Sequence, residues 1–167
     1  MEQKEMIDLL RQVASGTMDV EQAALKLKEE PFEDLGFAKI DHHRAMRQGV
    51  AEVIYGEGKT PEQIFRIAEA MKEKGQKAVL ITRMNKESAI YVGERLELQY
   101  DEASRIGFIG EAPIKDGDGK IVVATGGTSD IPVAEEAART AETLGNEVVR
   151  LYDVGVAGVH RLLGHLD

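Results

Sequence analysis

The sequence predicts an α/β protein: N-terminal helices, then a small α/β domain, then the opening βαβα part of a parallel sheet. Three observations carry this. From residue 51 onward, runs rich in Val, Ile and Leu alternate with runs of helical periodicity. Two of the strand-like runs, AEVIYG and KIVVATGG, leave through glycines directly into a helix start. Ahead of them, residues 5–27 carry apolar side chains at helical spacing.

Met6, Ile7, Leu9, Leu10 and Val13 share one face of a first helix that stops at Ser15-Gly16. A second helix, capped by Thr17 or Asp19, carries Val20, Ala23, Ala24, Leu25 and Leu27, so a helical hairpin ending at Pro31 is expected. In IDHHRAMRQG, Asp41 is placed to accept the first free amides of a short helix and Gly49 to close it, which puts Arg44 and Arg47 three apart on one face. There follow AEVIYG as strand, TPEQIFRIAEAMKEKG as helix, KAVLITR as strand, NKESAIYVGERL as helix, and LQYDEASRIGFIG as one or two further strands. APIKDGDGK, with Pro113 and Asp-Gly-Asp-Gly, reads as a linker. It divides the chain into residues 1–117 and residues 118–167. The second part reads as KIVVATGG (strand), SDIPVAEEAARTAETLG (helix), NEVVRLYDVG (strand) and a helix beginning in VAGVHRLLGHLD. Two parallel strands make an incomplete sheet, since both faces of such a sheet need cover and sheets average about 5 strands.

Composition narrows the function classes. The 167 residues are 43% hydrophobic and 31% charged, enough for one large or two small domains with a buried core. No apolar run reaches the roughly 18 residues that cross a bilayer, and the Met-Glu-Gln-Lys-Glu start lacks the order of a signal peptide, so no membrane association and a cytoplasmic location are expected. Acidic residues outnumber basic ones by 30 to 21, no Lys/Arg run stands out and Trp is absent, which argues against nucleic acid as a partner. The absence of Cys removes disulfides, thiolate ligands and cysteine nucleophiles from the sequence. His42 and His43 are adjacent rather than on one helical face, and no carboxylate completes a set, so no metal site is expected.

The two glycine turns are the candidates for chemistry. In GEGKTPEQ, Thr60, Pro61 and Gln63 form a capping box with proline in its favoured slot. The glycine amides, the helix start and the Lys59 ammonium could hold an anion; the alternative is a plain βα turn with a solvated lysine. A Walker motif is excluded, because Val53 stands where its first glycine belongs and Pro61 follows the threonine. In VATGGTSDIPV, Gly126 and Gly127 leave the backbone bare where a ligand would approach, Thr128 and Ser129 offer hydroxyls, and Asp130 offers an acceptor for a sugar hydroxyl. The alternative is a helix capped by Ser129 or Asp130. A Rossmann fingerprint fails, since Thr128 stands where its second glycine belongs. In YDVGVAGVHR, Asp153, His160 and Arg161 follow the next strand, and parallel strands would collect them on the same edge as Asp130.

The span TGGTSDIPVAEEAARTAETLGNEVVRLYDVGVAGVHRL resembles the opening of the phosphoribosylaminoimidazole carboxylase fold, a parallel three-layer sheet. With DHHRAMRQGVAEVIYGEGKTPEQI added, nearly the entire chain resembles the carboxylase-hydrolases of nickel-pincer nucleotide biosynthesis, the pyridinium-3,5-biscarboxylic acid mononucleotide synthases. The resemblance implies carboxylation of the pyridinium ring of nicotinic acid adenine dinucleotide by carbon dioxide or bicarbonate, then cleavage of the pyrophosphate to release AMP. It implies a dinucleotide substrate, a homo-oligomer and no obligatory cofactor, with Mg2+ left open as a companion of the pyrophosphate. It places Gly126, Gly127, Thr128, Ser129, Asp130, Asp153, His160 and Arg161 at the nucleotide. For Arg44, Arg47, Tyr55 and Lys59, phosphate or carboxylate binding is the expectation, because guanidinium and ammonium groups suit those anions. The family's nucleophilic cysteine would lie beyond Asp167, so the catalytic residues are expected outside this chain, which should bind without turnover. Two further readings stay open: a non-catalytic nucleotide-binding module, and an oligomerisation module.

Overall fold

The structure, a computed structural model, describes residues 3–27, 32–42, 44, 52–111 and 114–164. Helices α1 (Gln3–Ala14) and α2 (Val20–Leu27) form the expected hairpin. Its turn is tied by the Ser15 and Thr17 hydroxyls, both donating to the Gln12 carbonyl at 3.0 Å, and Gly16 takes the left-handed backbone (φ +71°) that the turn requires.

An antiparallel hairpin that the sequence reading did not anticipate follows: β1 (Phe32–Asp34) and β2 (Lys39–Asp41), with Glu33 opposite Ile40. Its strands are three residues each, too short for apolar alternation to register, and the signal lies in the turn instead. Asp34 Oδ1 accepts from the Gly36 amide at 2.8 Å while Gly36 turns left-handed (φ +84°). Ile40, 2% exposed, carries this hairpin into the main core. Asp41 closes β2, its amide donating to Glu52 Oε2 at 2.5 Å. Most of the helix expected beyond it, including Arg47, lies outside the described residues.

The main sheet contains β3 (Ile54–Tyr55), β4 (Ala78–Thr82), β5 (Leu98–Asp101) and β6 (Ile106–Gly110) in the order β3-β4-β6-β5. β3 and β4 are parallel, joined through helix α3 (Pro61–Glu73); β6 is antiparallel to both β4 and β5. The stretch read as one or two strands is therefore two. Helix α4 (Lys86–Gly93) connects β4 to β5, its start capped by Asn85, whose Oδ1 accepts from the Ser88 amide at 2.8 Å. The expected capping box at Thr60 is formed in both directions. One face of the sheet packs Ile54, Val79, Ile81 and Ile109 against Ile64, Ile67, Met71 and Val92 of the two helices.

The second sheet is β7 (Lys120–Ala124) and β8 (Glu147–Leu151), parallel, with Ile121 opposite Val148. Helix α5 (Ile131–Thr143) connects them, and α6 (Val159–Leu163) follows, which completes the expected βαβα order. The whole is mixed α/β, with six helices among the described residues. No helix among those residues is long and apolar enough to cross a membrane.

Helix α5 touches both sheets: β7 and β8 on one side, β4 and β6 on the other. Leu80 and Phe108 lie opposite each other on β4 and β6, and alternation turns them away from the Val79/Ile81 core, toward α5. Small residues allow the close approach, with Ala138 fully buried and Ala134 nearly so. Charge does the rest. Arg150 on β8 donates to Glu142 Oε1 at 2.6 Å and to Glu135 Oε1 at 3.0 Å, and Arg139 reaches Asp101 Oδ2 on β5 at 3.1 Å. The Arg150 guanidinium holds the Glu142 carboxyl below its ordinary value. The Ser104 amide, aided by Arg139, does the same for Asp101.

Two outcomes follow for stability. Arg150→Met leaves Glu135 and Glu142 facing each other half-buried, and urea unfolding should show a loss of about 2 kcal/mol. Because the Glu142 and Asp101 carboxyls are depressed in the fold, their contribution is complete above the ordinary values of 4.5 and 3.8 and is lost as pH falls through the lower folded values. Unfolding followed from pH 6 to pH 2 should steepen below about pH 4.5, and Glu142→Gln should flatten that slope.

Candidate functional site

The 126–130 turn is built where β7 ends. Thr125, 5% exposed, donates its amide to the Leu151 carbonyl at 3.0 Å, and its hydroxyl oxygen accepts from the Asp153 amide at 3.0 Å. The amides of Val154 and Gly155 then donate to the carbonyls of Thr125 (2.9 Å) and Gly126 (3.1 Å). The exits of the two parallel strands are thereby laced together. Thr128–Asp130 form a single 3-10 turn leading into α5, and Asp130 Oδ2 accepts from the Gly127 amide at 3.0 Å. Asp130 thus turns its carboxylate back onto the loop and makes no cap on the α5 amides. Among the described residues, the amides of Gly126, Thr128 and Ser129 find no hydrogen-bond partner.

The glycines of this edge differ in why they are glycine. A Cβ on Gly155 would sit 2.3 Å from the Gly126 carbonyl oxygen, and one on Gly158 would strike the Arg161 guanidinium. Gly155 is needed by the fold, whereas the neighbour at Gly158 is the end of a flexible side chain that can move aside. At Gly126 and Gly127 a Cβ would meet nothing closer than 3.8 Å and 3.9 Å, and neither residue has left-handed backbone. Among the described residues, neither packing nor a left-handed backbone requires glycine at these two positions.

Asp153, in left-handed backbone (φ +59°), pairs with Arg161 of α6. The structure therefore brings Gly126, Gly127, Thr128, Ser129, Asp130, Asp153 and Arg161 to one edge. His160 is exposed on α6.

Tyr55 and Lys59 form a second group on the β3–α3 turn. Lys59 Nζ donates to the Tyr55 carbonyl at 2.7 Å, and the Tyr55 hydroxyl donates to Glu57 Oε2 at 2.6 Å. That bond raises the phenol's pKa and lowers the carboxyl's. Arg44, three residues beyond β2, is half-buried, and Arg47 lies outside the described residues. The sequence reading missed four residues that extend this group. Arg105 Nη1 lies 4.0 Å from Glu57, and its Nη2 donates to the Arg83 carbonyl at 3.2 Å. Arg83 in turn donates to Glu136 of α5 at 2.7 Å, and this pairing raises its pKa. Glu136 lies on the helix that begins at Asp130, so the chain Tyr55–Glu57–Arg105–Arg83–Glu136 connects the two turns. A charged residue at each strand exit was the available signal; the partner 53 positions away was not.

Comparison with known proteins bears on the first group of strands. Residues 32–111 match the LarB/PurE-like N-terminal domain family. The match spans β1 to β6 and includes Tyr55, Lys59, Arg83 and Arg105. An uncharacterized protein of Methanocaldococcus jannaschii is 32% identical over an alignment of 166 positions that covers 95% of this chain. The chain spans 65% of that relative's length.

The glycine geometry predicts a contrast. Gly155→Ala should cost about 2 kcal/mol in urea unfolding, because its methyl group meets a main-chain oxygen. Gly127→Ala should leave stability within about 0.5 kcal/mol of the parent.

Proposed function

We propose that this chain binds the dinucleotide in an enzyme that carboxylates the pyridinium ring of nicotinic acid adenine dinucleotide and then hydrolyses its pyrophosphate to AMP. The domain match at residues 32–111 supports a carboxylase-related family. The observation that carries the nucleotide reading is the pair Gly126 and Gly127, which neither backbone angle nor packing within the chain requires. Bare main chain at a strand exit, with the free amides of Thr128 and Ser129 beside it, suits a phosphoryl group.

In this reading the amides of the 126–130 turn take one phosphate, and Thr128 and Ser129 add hydroxyl donors. Asp130 accepts from a ribose hydroxyl, giving up its bond to the Gly127 amide, which then also faces the phosphate. Asp153 and Arg161 hold each other in place, so Arg161 meets substrate as half of an ion pair; His160 lines the same edge. Lys59, Arg44 and Arg47 supply cationic charge to the second phosphate or the carboxylate, with Tyr55 as a hydroxyl partner. Carbon dioxide or bicarbonate is the co-substrate, and Mg2+ would accompany the pyrophosphate if required. No nucleophile is assigned to this chain, which has no cysteine. The division at residues 117 and 118 separates the domain bearing Lys59 from that bearing the glycine turn, and the assembly is a homo-oligomer.

A second reading, an oligomerisation module, is favoured by one observation: Val122 and Val149, 60% and 41% exposed, lie on the face of β7–β8 turned away from α5. Calorimetry separates the two. Nicotinic acid adenine dinucleotide should bind the chain saturably, and Gly127→Val should weaken binding at least about tenfold while the fold is kept. Asp130→Ala should likewise abolish uptake and leave the mass seen by light scattering unchanged. Absence of saturable binding, or affinity indifferent to both substitutions, sinks the nucleotide reading and leaves the oligomerisation one.

A further inference from the structure

The sequence contains two Asp-Gly steps and no Asn-Gly step, and both stand in the segment between β6 and β7: Asp116-Gly117 and Asp118-Gly119. Neither belongs to the glycine turns described above. An Asp-Gly step can rearrange its own main chain, because the glycine nitrogen can reach the aspartate Cγ and glycine has no Cβ to obstruct it. The outcome depends on what holds that nitrogen in the fold, and here the two steps differ.

Residues 114–117 lie against the turn between α5 and β8. The Gly117 amide donates to the Gly145 carbonyl at 3.1 Å. A Cβ on Gly145 would sit 2.7 Å from the Ile114 carbonyl oxygen and 2.9 Å from Asp116 Oδ1, and one on Gly117 would sit 2.5 Å from Asn146 Oδ1. The first step is therefore pinned at close packing distance with its amide occupied. Two residues on, the contacts stop. Asp118 is exposed, and its carboxylate has no hydrogen bond or ion pair among the described residues. The Gly119 amide donates to no acceptor among them, and a Cβ on Gly119 would meet nothing within 4 Å.

We propose that Asp118-Gly119 is a site of spontaneous isoaspartate formation, and that docking on Gly145 and Asn146 protects Asp116-Gly117 from the same reaction. The Gly119 nitrogen loses its proton and attacks Asp118 Cγ, the carboxyl oxygen leaves as water, and a cyclic succinimide closes. Water then opens the ring at the former main-chain carbonyl, so the chain runs on through Cγ and the original carbonyl carbon becomes a free carboxyl group. A water leaves and a water enters, so composition is unchanged and no reagent beyond solvent is required. That free carboxyl is the group an isoaspartate-specific methyltransferase esterifies, and an enzyme of that class is the partner this site fits. The extra main-chain carbon enters just before Lys120, which opens β7 and pairs with Glu147 at 2.8 Å. The site is independent of the dinucleotide reading.

The test is incubation of the full chain in warm, mildly acidic heavy-oxygen water, where each ring opening leaves a heavy oxygen in the chain. Fragmentation of the tryptic peptide Asp116–Lys120 then places the label. It should accumulate at Asp118 about tenfold faster than at Asp116, since a hydrogen bond must open at one amide and not at the other. In urea, which removes the Gly145 contact, the two rates should converge. Uptake of methyl groups from an isoaspartate methyltransferase should rise with the label. Asp118→Glu, on an exposed side chain and of unchanged charge, should keep the parent's melting temperature and remove the fast component, because its larger ring closes far more slowly. The proposal is overturned if Asp118 takes no label, if Asp116 matches it in the folded chain, if the difference survives in urea, if methyl uptake does not follow the label, or if Asp118→Glu leaves the fast component in place.

Discussion

Helix α5 is the constraint on which the rest depends. Among the described residues it packs against both the main sheet and the second sheet, and it is fixed to them by side chains on three sides: Arg150 from β8, Asp101 from β5 through Arg139, and Arg83 from the end of β4. The Arg150 pairs are partly buried on both sides and are screened less than surface ones, whereas Arg83 and Arg139 stand 37% and 47% exposed. Their effect is orientational as much as energetic. Guanidinium groups bind carboxylates in a fixed plane, so a helix carrying Glu135, Glu136, Arg139 and Glu142 on successive turns cannot rotate without breaking several bonds together. Because the 126–130 turn is the start of this helix, the fixed roll of α5 also fixes the turn.

The burial of α5 follows from its sequence in a way that composition alone hides. IPVAEEAARTAET reads as an ordinary amphipathic helix, yet alanines occupy the positions of closest approach, Ala134 and Ala138, and the long side chains ring them. Dispersion contact at the alanines and charge pairing around them therefore act on the same surface. The opposite arrangement holds at α3 and α4, where Ile64, Met71 and Val92 fill a core with no charged group in it. The molecule uses apolar packing to build the first sheet and a charged lattice to join the second to it.

Much of this was legible in the sequence where the cause is local. The alternation after residue 51, the capping box at Thr60 and the βαβα order all rest on neighbours within a few positions, and all appear as read. The β1–β2 hairpin was missed because three-residue strands have no period to detect, although Asp34 and Gly36 formed a recognisable turn. At the candidate site, the glycines and the Asp153–Arg161 neighbourhood were visible as motifs. Thr125, Arg83, Arg105 and Glu136 were not, because their roles exist only in partners 22 to 53 positions distant.

Among the described residues, three non-glycine residues, Arg83, Arg105 and Asp153, have left-handed backbone, and all three stand at strand ends. Such conformations cost of order 1–3 kcal/mol each and persist only where surroundings over-determine them. Here they are over-determined. The Arg83 carbonyl accepts from Arg105, the Arg105 carbonyl accepts from the Met84 amide at 2.8 Å, and the Asp153 amide is held by Thr125 while its carboxylate holds Arg161. The strained residue is in each case also the one whose side chain or carbonyl binds the adjoining element. If the backbone relaxed to the right-handed region, Arg83 would lose Glu136 and Asp153 would lose Arg161, so the strain and the cross-links stabilise one arrangement together. Both strand edges are thereby cross-linked by hydrogen bonds and ion pairs.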